Sequence, residues 1–420
     1  MAQDRAPMVT DDPRSATVPP LRAGSHPVRP DVFMHTVFVN TYAVTTGAGL
    51  LLIDPGLEVM ATAVRQAVRA WSDAPLHTAV YTHGHVDHAF GLRPWLDAGE
   101  RPQIIAQENC VARFRRYHLT GGLNARINQR QFSLPEPVFP DRFDWPTITV
   151  RDGLTQRIGD TEVRYHAAKG ETDDALYAWL PDRGYLFTGD LIIWSAPNCG
   201  NPQKVQRYPL EWAEALEEMA GLDAEWLFPG HGLAVQGREG IRAVLTETAA
   251  YLRSIIDQVL ERMNAGQEPE QIFHEVEPDP ELAKRPFLRV NYDHPKFIVR
   301  NLLRLWGGWW NGNAADLLPA TWEEQGRQIA ELAGGVDALV ARGHQLLDRG
   351  DLAMACHIAE WATRGHPVHA GAQELKRDAY RARLEAAGET MTQGIYRAAM
   401  NDAIRALGGE PEAPRRRLAL

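Results

Sequence analysis

The chain has 420 residues, 44% hydrophobic and 23% charged, with 44 Lys+Arg against 54 Asp+Glu and a net charge of −10. This composition excludes collagen-like, low-complexity and wholly disordered chains, and the length asks for two or three domains. The acidic balance argues against a nucleic acid as the main partner. Three scattered cysteines (Cys110, Cys199 and Cys356) form neither a disulfide framework nor a cysteine cage, and fit a reducing compartment.

Residues 1–30 are rich in Pro, Arg, Asp and Ser, which predicts a flexible arm and no signal peptide. No apolar run approaches the ~18 residues of a membrane span, so a cytoplasmic chain with no membrane partner is expected. Residues 31–265 alternate short apolar runs with Gly-containing loops. Within them 37–44 and 49–53 read as paired strands, 60–71 as a helix, and 78–81 and 104–106 as strands. Residues 177–180 and 185–187 flank a Pro-Asp-Arg-Gly turn and read as a hairpin. A helix near 212–219 and a strand at 226–228 complete an order that predicts a layered α/β domain. An apolar stripe over 241–260 has helical spacing. Residues 266–320 read as a Trp-rich connector, 321–410 as a helical domain, and 411–420, with Arg415-Arg416-Arg417, as a charged tail.

The run Tyr81-Thr82-His83-Gly84-His85-Val86-Asp87-His88 follows a predicted strand and places three imidazoles and a carboxylate within six positions. Neutral imidazole and carboxylate suit zinc and similar divalent ions. Desolvating four such groups without a partner ion would be costly. His83 and His85, two apart in extended chain, can project to one side, with Asp87 and His88 turned toward a second position. Glu171, Asp190 and His231 each sit just past an apolar run in a Gly-containing loop. If those strands share a sheet, their ends meet at one edge, where α/β proteins place their sites.

This run, with Asp54 after an early strand and the later Gly189-Asp190 and Gly230-His231-Gly232 loops, resembles the metallo-β-lactamase superfamily over about residues 32–238. The resemblance implies an α/β fold of the αββα sandwich type followed by an all-α C-terminal domain. It also implies two divalent ions, zinc with manganese or iron tolerated. Their implied ligands are His83, His85, Asp87, His88, Glu171, Asp190 and His231, with Asp54 behind them. Glu171 stands where many members carry histidine and resembles the alkylsulfatase branch. Residues 291–313 and 334–407 are similar to that branch's linker and dimerisation domain, implying a homodimer. Asp190 departs from the glutamate usual there in that branch.

On this reading His83, His85 and Glu171 hold one ion, Asp87, His88 and His231 the other, and Asp190 bridges them. Asp87 and Asp190 are the expected catalytic carboxylates. A hydroxide shared by ions ~3.5 to 4 Å apart is the expected nucleophile. Glu171 should make its ion a weaker Lewis acid. For an anionic ester, Asn198, Asn201, Lys204 and Arg207 offer donors after the Asp190 strand, and a second polar loop offers Arg126 and Arg130. The leading expectation is a sulfuric ester hydrolase acting on alkyl sulfates. The alternative is a carboxylic ester, lactone or thioester hydrolase, and a non-catalytic interaction protein ranks last.

Overall fold

The computed structural model describes residues 7–17 and 23–414. The remainder of the expected arm and tail, including Arg415–Arg417, lies outside the described residues. The chain folds as two compact units. Among the described residues, one comprises those through Asn124 together with Phe139–Gly308; the other comprises Ala125–Val138 and Trp309–Pro414.

The first half of the first unit contributes β1 (Met8–Val9), β2 (Gly24–Arg29), β3 (Val32–Thr36), β4 (Asn40–Thr46), β5 (Gly49–Ile53), β6 (Leu76–Val80), β7 (Gln103–Gln107) and β8 (Ile148–Val150). Its second half contributes β9 (Gly153–Ile158), β10 (Thr161–Ala168), β11 (Ala175–Leu180), β12 (Tyr185–Gly189), β13 (Trp226–Pro229) and β14 (Ala234–Gln236). They form two seven-stranded sheets, ordered β1-β14-β13-β12-β11-β10-β9 and β2-β3-β4-β5-β6-β7-β8.

Strand alternation explains the layers. In β5, Leu51 and Ile53 join Tyr42, Val80, Tyr165, Phe187 and Phe228 in the core between the sheets. Leu50 and Leu52 point the other way, to a second core with Val68 and Phe114 from helices Ala61–Trp71 and Asn109–Leu119. The outer face of the first sheet is covered by helices Pro209–Ala220, Arg238–Asn264 and Pro295–Gly307. The result is helix, sheet, sheet, helix.

Three expectations are corrected. Residues 8–9 and 24–29 are not a loose arm: β1 pairs parallel with β14 and β2 antiparallel with β3. Pro27 hides that strand in the sequence, and it is tolerated because β2 is an edge. The first part of the expected connector belongs to the first unit, because Ile272, Phe287, Ile298, Val299 and Leu302 are buried in its outer core. Arg126 and Arg130 lie on a helix, Gly121–Phe132, and not in a polar loop. Ile127 and Gln131, four apart, are its buried positions.

The second unit carries helices Trp322–Leu332, Val336–Asp348, Leu352–Gly365, Ala370–Ala386 and Thr390–Ala406. The first starts at a capping box between Thr321 and Glu324, and Leu339, Ile358, Ala362 and Leu375 pack inside. Among the described residues no helix is long and apolar enough to cross a membrane.

Phe187 stacks on Phe228 with ring centroids 4.7 Å apart and meets Tyr42 of the opposite sheet at 5.4 Å. Phe187→Ala is expected to cost about 3–5 kcal/mol of unfolding free energy. A denaturant titration measures this, and a loss below ~1 kcal/mol would contradict the inter-sheet core described here.

Candidate metal centre

Topology brings the later donors to one edge. β10 and β11 are antiparallel, as are β11 and β12, and β12 runs parallel with β13. The C-terminal ends of β10, β12 and β13 therefore point the same way, delivering Glu171, Asp190 and His231. In the other sheet β5 and β6 are parallel, and their ends deliver Asp54 and the His83–His88 run. Two glycines permit the approach. Gly189 (φ 51°) has no room for a Cβ against Thr82, and a Cβ on Gly230 would strike Asp190.

All seven expected ligand residues come together. Three sets have donor atoms within 4.8 Å of one another: His83, His88 and Asp190; Asp87, His88 and His231; His85, Glu171 and Asp190. Asp190 Oδ1 lies 3.2 Å from His88 Nε2 and 3.3 Å from His231 Nε2, and Oδ2 lies 3.6 Å from His83 Nε2. His231 Nε2 is 3.5 Å from Asp87 Oδ2, and His85 Nδ1 is 3.7 Å from Glu171 Oε1.

The outward nitrogens are fixed by partners that sequence reasoning largely missed. Asp54, in the left-handed region (φ 51°) that aspartate tolerates, accepts from Thr82 N at 2.8 Å and Thr82 Oγ1 at 2.7 Å. It also pairs with His88 Nδ1 at 2.7 Å. His231 Nδ1 donates to the Phe38 carbonyl at 2.7 Å. Both rings thereby turn Nε2 inward, as metal-bound histidines do. Asn40 holds the His231 loop: its Nδ2 donates at 3.0 Å to the carbonyls of Pro229 and Gly232.

Charge in the cluster is uneven. Burial, reinforced by His88, pushes His83 down to about 4. Burial also drives His85 well below the usual range, with His83 and Arg113 adding to it. For His231 burial is outweighed by Asp190 and Asp87, which raise it to about 10. His88 is raised well above its ordinary value, Asp190, Asp54 and Asp87 together overcoming burial. Burial works against ionised Asp190, yet His88, His231 and His83 hold its carboxyl well below the usual range.

These residues fit divalent ions. Asp190 Oδ1 is buried and satisfied by no well-aligned hydrogen bond, while imidazole nitrogens surround it. His88 Nε2 and His231 Nε2 face each other at 3.3 Å. Imidazole nitrogens and carboxylate oxygens converging on one buried acid form a ligand set.

The expected substrate donors divide. Asn198 is buried and donates from Nδ2 to Glu171 Oε1 at 2.7 Å. Arg207 is buried with Nη1 2.6 Å from that same oxygen. Asn201 is buried in a turn, its Oδ1 accepting from Gln203 N at 3.0 Å. Half-buried Lys204 is pushed down to about 8 by burial, aided by Arg207 and opposed by Glu171 and Asp87. Arg126 and Arg130 belong to the second unit.

A buried pair supports the histidine run from behind. Arg113 Nε donates to Asp174 Oδ1 at 2.8 Å, and Asp174 Oδ2 accepts Gly84 N–H at 2.9 Å. Their side chains are 2% and 0% exposed.

Residues 36–231 match the family "Metallo-beta-lactamase superfamily", and residues 268–405 match "Alkyl sulfatase dimerisation". A linear primary-alkylsulfatase from Pseudomonas sp. is 28% identical over 79% of this chain and 68% of its own length. An (R)-specific secondary-alkylsulfatase from Pseudomonas sp. is 24% identical over 81% of this chain and 56% of its own. The chain thus spans between about half and two thirds of these relatives. The solved structure of the stereoselective inverting sec-alkylsulfatase Pisa1 from Pseudomonas sp. shares the fold, with a TM-score of 0.81 at 22% identity over 91% of this chain and 66% of that one.

Burial disfavours ionised Asp174, but Arg113, His83 and the Gly84 N–H more than compensate and hold its carboxyl below the usual range. Because the folded value is the lower one, the ion pair's contribution is complete above the unfolded value of ~3.9. It is lost as pH falls through the folded value. Asp174→Asn should therefore cost about 1–3 kcal/mol at pH 7, because buried Arg113 keeps only the more exposed Asp173 as a carboxylate partner. Denaturation across pH should show that gap closing under acid, and a pH-independent gap would contradict the ion-pair account.

Proposed function

From the match of residues 36–231 to the metallo-beta-lactamase superfamily and of residues 268–405 to the alkyl sulfatase dimerisation family, we propose a dinuclear metal-dependent hydrolase of sulfuric esters, acting on alkyl sulfates. The observation that carries the proposal is the convergence of donors from the ends of four strands, β6, β10, β12 and β13, on buried Asp190. We assign His83, His85 and Glu171 to one ion, Asp87, His88 and His231 to the other, and Asp190 to both, with zinc the expected metal. Such ions supply Lewis acidity and water ionised near neutral pH.

The remaining work falls to the chain. Asp54 and the Phe38 carbonyl keep the Nδ1 protons of His88 and His231 turned away from the centre. Lys204 is the cation we assign to the sulfate head: among the described residues no carboxylate pairs with it, whereas Arg207 is taken by Glu171. Burial of Glu171 and Asp190 keeps bulk water from competing for the donors. The helical second unit, through its match to the dimerisation family, supports a homodimer.

Zinc-loaded protein is expected to release sulfate from short and medium alkyl sulfates and to lose that activity on chelation. Lys204→Ala should raise KM about tenfold, the loss of one charged hydrogen bond, with kcat changed far less. No sulfate from any alkyl ester, with rapid hydrolysis of a lactone or thioester instead, would overturn the substrate assignment. Sedimentation should give twice the chain mass, and a monomer at micromolar concentration would remove the homodimer.

A further inference from the structure

Arg207 is placed in sequence where a substrate anion would need a cation, but its contacts point elsewhere. Its side chain is 3% exposed. Nη1 approaches Glu171 Oε1 at 2.6 Å and also donates to the carbonyl of Asn198. Asn198 returns to the same carboxylate oxygen through Nδ2 at 2.7 Å. Three residues thus close a ring in which one carboxylate oxygen carries two donors. The backbone beneath is pinned as well: Asn301 Nδ2 donates to the Arg207 carbonyl at 2.9 Å, and Arg207 N donates to Asn301 Oδ1 at 3.3 Å.

A substrate anion could recruit this guanidinium only by displacing a carboxylate that is already desolvated and charge-paired. Glu171, by contrast, needs such a partner. It is a buried acid on a side chain with three rotatable bonds, facing His85 at 3.7 Å and within one donor cluster with Asp190. Without the two donors its carboxylate has no fixed aim. The guanidinium also offsets the negative charge that glutamate adds relative to histidine at this position. A distinctly weaker Lewis acid, expected from Glu171 alone, therefore does not follow.

We propose that Arg207, with Asn198, is a positioning residue that acts on the metal centre through Glu171 and does not bind the substrate anion. The assignment rests on the metal-centre reading above. It is tested by titrating zinc into metal-stripped protein against a competing chelator, alongside KM for an alkyl sulfate at saturating zinc.

Wild type should take two ions per chain. Arg207→Gln should weaken one of them by at least about tenfold, the usual cost of losing a partner behind a metal ligand, and leave the other unchanged. KM at saturating zinc should stay within about twofold, since no anion contact is lost. Arg207→Lys should recover much of the affinity, because both contacts come from a single nitrogen. In a Glu171→His background, Arg207→Gln should have no further effect on zinc. Asn198→Ala removes the second donor without changing charge and should weaken the same ion by a smaller factor, which tests the ring even if Arg207→Gln fails to fold.

Two bound ions with equal affinity in wild type, Arg207→Gln and Asn198→Ala, or a KM rise that persists in the Glu171→His background, would overturn the inference alone. Wild-type protein that takes up no zinc would remove the metal-centre reading and this inference with it.

Discussion

A carboxylate with 8% exposure stands among three imidazoles at the end of β12. Burying such a charge is expensive unless other groups compensate it, and the surroundings of Asp190 are organised to do so. β12 lies parallel to β13, so His231 arrives from the neighbouring strand end. The facing sheet brings His83 and His88 from the end of β6. Gly189 and Gly230 remove the side chains that would keep these ends apart. Core packing of Tyr42 against Phe187 and Phe228 holds the two sheets at the separation this requires.

Around that centre three further buried acids are held by named partners. Asp54 is paired with His88 and Thr82, Asp174 with Arg113 and the Gly84 N–H, and Glu171 with Arg207 and Asn198. The supporting groups therefore fix the aim of the ligands and balance their charge at once. On the proposed assignment, Arg207 is committed to Glu171 and half-buried Lys204, three residues earlier, is left for a substrate anion.

Much of this could be read from the residues. His83, His85, Asp87 and His88 are local in sequence, and Glu171, Asp190 and His231 each follow an apolar run, so strand-end convergence was a sound inference. What escaped was contact through space. The Phe38 carbonyl has no side-chain signature, Asn40 lies 191 residues before the histidine whose loop it holds, and the Arg113–Asp174 pair spans 61 positions. The sequence puts Arg207 close to the Asp190 strand, but chain position does not say which way a guanidinium points. Helix Gly121–Phe132 was concealed because only Ile127 and Gln131 are buried on it, too few to set a visible period. Strand Gly24–Arg29 was concealed by its proline, which an edge strand accommodates.

That separate strand ends form one cage with Asp190 at its middle is the central claim. Anomalous diffraction at the zinc edge from crystals of zinc-loaded protein tests it most directly. Two peaks per chain are predicted, one against His83, His85 and Glu171 and the other against Asp87, His88 and His231, both within bonding reach of Asp190. A single peak, or peaks away from Asp190, would contradict it.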